Sequence, residues 1–278
     1  MRHWIYLLSA VFLFILSPVA SFSADFPQEG APTVLITGSS KGHGLAFVKD
    51  YAARGWNVIA TCRSPSTSDR LTAFAAENKN VVVEKLDLTD FEGIDALAAK
   101  YEGQPIDVLN LNGAINTFRF SPNKFGEIDY PWFEEIMRVN VIGQLYTSEA
   151  FLQNIAISKM KKIAVMSATG GSISNVKSTM APAYRSSKAA VNMVMRTYGE
   201  AVRDRGVVVL VIAPGTVDAE DYMNASDQSS VPSQYKRMIK SGVLAPRSAI
   251  GDMIDLIEKL TIDDINVFHK WDGTTLDW

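Results

Sequence analysis

The feature that most constrains the fold is a regular alternation of short apolar runs with longer amphipathic stretches, which begins at Pro32. Apolar strands that alternate with helices indicate a parallel sheet covered by helices on both faces. The predicted strands are 33–37, 57–61, 81–86, 108–111, 163–166, 207–212 and 267–271. The predicted helices are 44–54, 71–77, 91–101, 132–157, 183–205 and 249–260.

This order predicts an α/β fold, in which residues 32–278 form one doubly wound domain around a mostly parallel, seven-stranded sheet. The chain of 278 residues is long enough for one such core and short for two. Residues 214–245 are polar and irregular, and a stretch of that length within a compact domain is usually functional. We therefore predict that 214–245 is a lid.

The first 24 residues differ from the rest of the chain. Arg2 and His3 precede an uncharged run over 4–16, Ser17 and Pro18 interrupt it, and small residues follow to Ala24. This pattern is typical of a secretory signal, with a retained membrane anchor through 4–20 as the alternative. We expect export or anchoring, with 25–31 as a linker, and a cytoplasmic location if the segment is not a functional signal.

The composition excludes several classes of function. The net charge of -3 gives no general attraction to nucleic acid, so we expect no nucleic-acid partner. Cys62 is the only cysteine, which rules out a disulfide within the chain. The three histidines are scattered and no Cys/His spacing suits zinc, so no metal site is predicted.

A glycine-rich turn, Thr37-Gly38-Ser39-Ser40-Lys41-Gly42-His43-Gly44, follows the first strand and opens the first helix. Glycines in this context allow a tight turn, a close approach to a pyrophosphate and close packing of helix on strand. The free N–H groups of the helix then face the anion. The turn predicts a Rossmann-type domain that binds a dinucleotide. Its predicted contacts are Gly38, Ser40, Lys41, Gly42, His43 and Gly44.

The charge beside this turn indicates which dinucleotide binds. A free ribose 2′-hydroxyl is usually bound by an acidic residue at the end of the second strand. The stretch 59–64 has no acid and contains Arg63, while Lys41 lies in the glycine turn. Two cations without a carboxylate suit a 2′-phosphate, so NADP(H) is predicted over NAD(H).

Tyr184 and Lys188 are spaced by four residues near a helix start, which places them on one face of the helix. A fixed cation stabilises a phenolate, so we expect Lys188 to lower the pKa of Tyr184. Ser167 follows the fifth strand, at the edge where open α/β sheets bind ligands, and its hydroxyl could bond a substrate oxygen.

Taken in chain order, these segments resemble the short-chain dehydrogenase/reductase family over residues 32–278. The ending 268–278 is similar to the C-factor and sniffer-like carbonyl reductase branch. The matching segments are Thr37-Gly38-x-x-x-Gly42-x-Gly44, Asp87-Leu88, Arg138-Val139-Asn140-Val141, Ser167, Tyr184-x-x-x-Lys188 and Pro214-Gly215.

The resemblance implies a role for each matching residue. Tyr184 would be the acid in reduction and the base in oxidation, Lys188 would bind the nicotinamide ribose, and Ser167 would hold the substrate oxygen. Asn140 would support a water linked to Lys188. The remaining implied cofactor contacts are Asp87, Leu88, Asn112, Pro214, Gly215 and Thr216.

Three segments depart from the family pattern. Leu111-Asn112-Gly113-Ala114 replaces the usual Asn-Asn-Ala-Gly, which bears on the rigidity of the loop beside the cofactor. His43 replaces an aliphatic residue and could narrow the pyrophosphate site or add a donor. Residues 216–221 replace a threonine-rich lid start, which bears on the choice of substrate.

The leading hypothesis is an NADPH-dependent carbonyl reductase that acts on a small to medium aldehyde or ketone. An NADP-dependent alcohol dehydrogenase uses the same site in the other direction, so the sequence leaves both open. The predicted signal segment motivates a third reading, an exported binding or signalling protein without turnover. The family also implies a homo-oligomer, formed through the two long helices.

Overall fold

The computed structural model describes residues 30–115, 125–220, 222–227, 229–240, 242 and 244–278. The predicted signal or anchor over 1–24, and most of the predicted linker over 25–31, lie outside the described residues. Within the described residues, no helix is long and apolar enough to cross a membrane. Export and anchoring therefore stay predictions.

The described residues form two sheets from ten strands. The strands are β1 Thr33–Ile36, β2 Asn57–Cys62, β3 Val81–Lys85, β4 Val108–Leu111, β5 Lys162–Met166, β6 Val208–Ala213, β7 Thr216–Val217, β8 Leu244–Ala245, β9 Phe268–Lys270 and β10 Thr275–Leu276. The main sheet has the order β3-β2-β1-β4-β5-β6-β9-β10. All its neighbours pair in parallel except β9 and β10, which are antiparallel.

The main sheet therefore has eight strands, and the prediction of seven was wrong. The eighth strand, β10, has two residues and pairs through a tight turn, in which the Lys270 N–H donates to the Thr274 carbonyl at 2.7 Å. Two residues are too few to show a measurable hydrophobic periodicity. The strand forms by pairing with β9, which a local sequence pattern does not reveal.

Helices cover both faces of the main sheet, as the alternation predicts. The helices are α1 Gly42–Ala53, α2 Asp69–Glu77, α3 Phe91–Lys100, α4 Tyr130–Met137, α5 Gly143–Ala150, α6 Leu152–Ala156, α7 Pro182–Val202, α8 Ser233–Lys240 and α9 Ala249–Lys259. One buried core lies between the sheet and α1, α2 and α9. The other lies between the sheet and α3, α5, α6 and α7.

The continuous helix predicted over 132–157 is divided in the structure. A π-helical turn, Arg138–Ile142, joins α4 to α5, and Phe151 separates α5 from α6. Turns of this kind are frequent at functional sites. This one contains Asn140, a side chain with no exposed surface. Helical periodicity alone does not reveal such a turn, because the flanking helices keep the same pattern.

The predicted lid over 214–245 is more regular than its composition suggests. Its described part contains β7, α8 and β8, and the first and last of these pair as a separate parallel sheet. The Asp218 N–H donates to the Ala245 carbonyl at 2.9 Å, and the Asp218 carboxylate accepts from the Met223 N–H at 2.6 Å. Glu220 also forms an ion pair with Arg70 at 2.7 Å, which ties this segment to α2.

Candidate active site

Four central strands place the predicted site residues along one edge of the sheet. Thr37 follows β1, Asn112 follows β4, Ser167 follows β5 and Pro214 follows β6. These strands are neighbours in the order β1-β4-β5-β6 and run in parallel. Their carboxyl ends therefore lie side by side, at the edge where open α/β sheets bind ligands.

The glycine turn packs directly on the loop that follows β4. Gly38 has a φ of +71°, and a Cβ added there would lie 2.6 Å from the Gly113 Cα. The Asn112 side-chain amide donates to the carbonyls of Thr37 and Gly38 at 3.0 and 3.2 Å. The Gly113 N–H donates to the Thr37 hydroxyl at 2.9 Å. The unusual segment 111–114 is thus firmly bonded to the turn.

The start of α1 directs backbone N–H groups that have no acceptor within the helix toward the glycine turn. The helix begins at Gly42, and the Lys41 side chain makes no capping bond to it. A Cβ added at Gly44 would collide with the Gly38 carbonyl oxygen, so only glycine lets the turn and the helix approach this closely. Ser40 is half-buried beside them. This geometry fits a pyrophosphate, with the helix dipole favouring negative charge.

Two exposed cations lie in or near the glycine turn. Lys41 belongs to the turn and Arg63 follows β2, and within the described residues neither side chain forms an ion pair or a hydrogen bond. Asp87 lies just after β3, and its carboxylate accepts from the Thr89 N–H and hydroxyl at 3.0 and 2.9 Å. Leu88 is buried next to it. Both cations remain available to an anionic group.

His43 connects the glycine turn to the start of the lid. Its ring bonds to the backbone of Val217 in β7, and burial lowers the pKa of His43 below its ordinary value of 6.5. The ring is therefore neutral at neutral pH. His43, which stands where the family usually has an aliphatic residue, thus adds a contact between α1 and the predicted lid.

Tyr184 and Lys188 lie on the first two turns of α7, which begins at Pro182. The Lys188 Nζ donates to the Met166 carbonyl at 2.7 Å and lies 5.7 Å from the centre of the Tyr184 ring. Burial lowers the pKa of Lys188 to about 8 and raises the pKa of Tyr184 to about 12. The direction for Tyr184 is opposite to the sequence prediction, because desolvation of the phenolate outweighs the attraction of the nearby cation.

Ser167 is buried, and its hydroxyl donates to the side-chain carbonyl oxygen of Asn192. The sequence analysis missed Asn192. It lies four residues after Lys188 and eight after Tyr184, and the same helix face is otherwise apolar at Val191 and Met195. A polar residue on this buried face of the helix was the signal that could have identified Asn192 from the sequence.

Asn140 bonds to protein on both sides of its amide. Its Nδ2 donates to the Ile115 carbonyl and the Ser187 hydroxyl, each at 3.0 Å, and its Oδ1 accepts from the Ile115 N–H at 2.8 Å. The π-helical turn therefore joins the loop after β4 to α7. The role of Asn140 in holding a water stays a prediction.

The predicted nicotinamide contacts follow β6. Pro214 is buried, whereas Gly215 and Thr216 are exposed. The sequence analysis also missed Gln144, whose side-chain amide donates to the Gly113 carbonyl. No local pattern marks that bond, because its partners lie 31 residues apart.

Known proteins share both the sequence pattern and the fold. Residues 32–230 match the short chain dehydrogenase family. An uncharacterized oxidoreductase of Schizosaccharomyces pombe is 29% identical over 253 residues, which cover 89% of this chain and 98% of the relative. The NADPH-bound carbonyl reductase from chicken fatty liver is 26% identical, with a TM-score of 0.75 over 89% of this chain and 99% of the other.

The carbonyl reductase Sniffer of D. melanogaster has the same fold. The TM-score is 0.72 at 23% identity, over 89% of this chain and 100% of the other. The predicted resemblance to the short-chain dehydrogenase/reductase family is confirmed, and carbonyl reductases are among the similar structures. The match over most of the chain, together with the related oxidoreductases, leads to one conclusion: the chain belongs to the short chain dehydrogenase family and is an oxidoreductase.

Proposed function

We propose that the protein is an NADPH-dependent carbonyl reductase in which Tyr184 is the proton donor. The observation that carries the proposal is the buried pair of Tyr184 and Lys188, at the sheet edge that also carries the glycine turn. A phenol with a pKa of about 12 holds its proton at neutral pH. That is the state which reduction of a carbonyl requires.

The residues around the glycine turn fit NADPH. The N–H groups at the start of α1 would bind the pyrophosphate, and Lys41 and Arg63 would bind the 2′-phosphate. The NADPH bound by the chicken carbonyl reductase, a protein of the same fold, supports this choice over NADH. The other proposed contacts are Asp87, Leu88, Asn112, Tyr184, Lys188, Pro214, Gly215 and Thr216.

Bound NADPH would supply a hydride to the carbonyl carbon, which would convert an aldehyde or ketone to an alcohol and the cofactor to NADP⁺. Tyr184 gives its phenolic proton to the carbonyl oxygen in the same reaction. Lys188 then returns a proton to the Tyr184 phenolate. Ser167 and the Asn140 segment hold the reacting groups in place.

The alcohol dehydrogenase reading needs the same residues in the opposite protonation state. Oxidation of an alcohol requires the Tyr184 phenolate as base, and burial disfavours that phenolate at neutral pH. The reading without turnover assigns no role to the buried Tyr184–Lys188 pair. At neutral pH the protonated Tyr184 therefore suits reduction, and the same site would serve oxidation at higher pH.

The test is NADPH consumption with a panel of aldehydes and ketones, comparing the wild type with Tyr184→Phe. We expect Tyr184→Phe to lower kcat by about 100-fold or more, because general acid catalysis contributes about 10²- to 10⁴-fold. Tyr146→Phe is the matched control, since it also removes one hydroxyl, which bonds to Asp95 on the surface between α3 and α5. Equal rates for wild type and Tyr184→Phe would contradict the assignment, and a wild type that consumes no NADPH would favour a binding protein.

A further inference from the structure

The residues that follow β10 are bonded to the segment that joins β5 to α7. The Ser174 N–H and hydroxyl both donate to the main-chain oxygen of Trp278, at 3.0 and 2.7 Å. The Ser172 hydroxyl donates to the Asp277 carbonyl at 2.6 Å, and Ser172 itself is 1% exposed. Three hydrogen bonds therefore join two segments that are distant in the sequence. We call residues 277–278 the strap.

The Trp278 ring attaches the strap to the body of the protein. The ring stacks on Phe268 of β9, with 5.2 Å between the ring centres and 16° between the ring planes. The Arg196 guanidinium of α7 lies 5.1 Å from the centre of the Trp278 ring. The Arg196 Nε also donates to the Asn266 side-chain oxygen at 3.1 Å, which holds the guanidinium in place. Ring stacking and a cation–π contact therefore act together on Trp278.

The strap holds one end of an exposed loop. Residues 173–180 are all exposed, and we call them the exposed loop. At the other end of this loop, the Arg185 Nε donates to the Met180 carbonyl at 2.9 Å. An exposed stretch with few buried contacts opens easily unless its ends are bonded to the body of the protein. The strap therefore determines the position of the first half of the exposed loop.

The path of the chain gives the exposed loop a place beside the proposed site. The chain leaves Ser167 at the carboxyl end of β5, passes through the exposed loop and returns to Tyr184 on the first turn of α7. The exposed loop therefore borders the space in front of both side chains, where the proposed substrate would lie. A loop that is already ordered takes no affinity from substrate binding, whereas a loose loop must be ordered by the substrate.

We propose that Trp278 is a positioning residue that acts on substrate binding by fixing the exposed loop. This inference rests on the proposed function, and it assigns Trp278 no contact with substrate or cofactor. The glycine turn follows β1, which is separated from β5 by β4 in the sheet. Loss of the strap should therefore weaken the binding of a carbonyl substrate and leave the binding of NADPH unchanged.

The test compares Trp278→Ala with the wild type in a structural and a kinetic measurement. Lys177 is a trypsin site within the exposed loop, so limited proteolysis with mass spectrometry reports whether the loop is held. We expect cleavage after Lys177 to be about tenfold faster in Trp278→Ala. With the aldehyde that the wild type reduces fastest, KM should rise about tenfold and kcat should change less than about threefold, because the substrate must now order the loop. The Kd of NADPH, measured by fluorescence titration, should stay the same.

A conservative variant tests the role of the ring. Trp278→Phe keeps an aromatic ring that can stack on Phe268 and face Arg196, and it keeps the main-chain oxygen that accepts from Ser174. Its cleavage rate after Lys177 and its KM should therefore return close to the wild-type values. Values equal to those of Trp278→Ala would contradict the assignment to the ring.

A matched control separates positioning from a general loss of stability. Phe91 is half-buried like Trp278 and has the same two kinds of contact. Its ring stacks on Tyr146, with 4.3 Å between the ring centres, and lies 5.5 Å from the Arg138 guanidinium, between α3 and α5. Phe91→Ala should lower the melting temperature about as much as Trp278→Ala, and leave both KM and cleavage of the exposed loop unchanged.

The outcomes are distinguishable. Unchanged cleavage after Lys177 in Trp278→Ala would overturn the inference, and so would faster cleavage without a rise in KM. Equal losses in kcat, KM and NADPH binding would show a general structural role and would also overturn it. All three results leave the proposed function intact. A wild type without Tyr184-dependent turnover would overturn the proposed function itself, and the role of Trp278 in substrate binding with it.

Discussion

Replacing Gly38 by alanine tests the close contact between the glycine turn and the loop after β4. Gly38 has a φ of +71°, and the added Cβ would lie 2.6 Å from the Gly113 Cα and 3.1 Å from its nitrogen. Gly103 is the matched control, because it has a φ of +74° and no atom within 4 Å of an added Cβ. The two variants therefore share the backbone cost and differ in the steric cost.

The two costs have different sizes. A left-handed conformation costs an alanine about 1–2 kcal/mol, and the reduced freedom of the unfolded chain returns about half of that. Gly103→Ala should lose about 1 kcal/mol. At Gly38 the new carbon lies about 1 Å inside an ordinary carbon–carbon contact. The opposing atoms are backbone held by Asn112, and forced overpacking adds about 1–3 kcal/mol.

We therefore expect Gly38→Ala to lose about 3 kcal/mol, which corresponds to a fall of roughly 10 °C in melting temperature, against roughly 3 °C for Gly103→Ala. Thermal unfolding followed by circular dichroism measures both. Fluorescence titration with NADPH should show weaker binding by tenfold or more for Gly38→Ala only, because the turn must move away from the pyrophosphate. Equal melting temperatures for the two variants would refute the close contact and the reasoning built on it.

Three other variants test separate parts of the structure. Arg63→Ala should raise the Kd for NADPH about tenfold or more and leave the Kd for NADH unchanged in equilibrium titrations, since the proposed charge-assisted bond to the 2′-phosphate would be lost. Arg70→Gln removes the partner of Glu220. Because Arg70 is exposed, the melting temperature should change little while limited proteolysis within 214–245 becomes faster. Lys188→Met should remove a pH dependence of stability. The folded chain releases the Lys188 proton near pH 8 and the unfolded chain near 10.5, so wild-type stability rises with pH between these values, by about 3 kcal/mol relative to Lys188→Met. Unfolding free energies on either side of that window measure the difference.

Local patterns were enough to predict the seven parallel strands and the glycine turn. Five of those strands, β1, β2, β4, β5 and β6, are mostly apolar and buried throughout, so their burial is encoded within four to six adjacent residues. The turn is equally local, because Gly38 and Gly44 act on each other across six residues. The resemblance added the order of these segments along the chain.

The sequence could not predict features that depend on distant partners. β10 exists because it pairs with β9, and the Gln144 bond to Gly113 joins residues from different layers. The pKa of Tyr184 is a further case. The spacing to Lys188 gives the sign of the charge effect, but the larger effect is burial, which depends on the packing of α7 against the whole sheet edge.

Burial of this pair also fixes the protonation state in which the proposed reaction begins. The pKa of Lys188 is about 8 and that of Tyr184 about 12. At neutral pH both groups hold their protons, so the site begins a reduction with a donor in place and a second proton behind it. Once Tyr184 has given up its proton, burial disfavours the phenolate that remains and so favours the return of a proton from Lys188. The same site serves oxidation of an alcohol, which needs the phenolate as base, so burial of the pair predicts that reduction runs at a lower pH than oxidation, and the pH profiles of the two directions measure this.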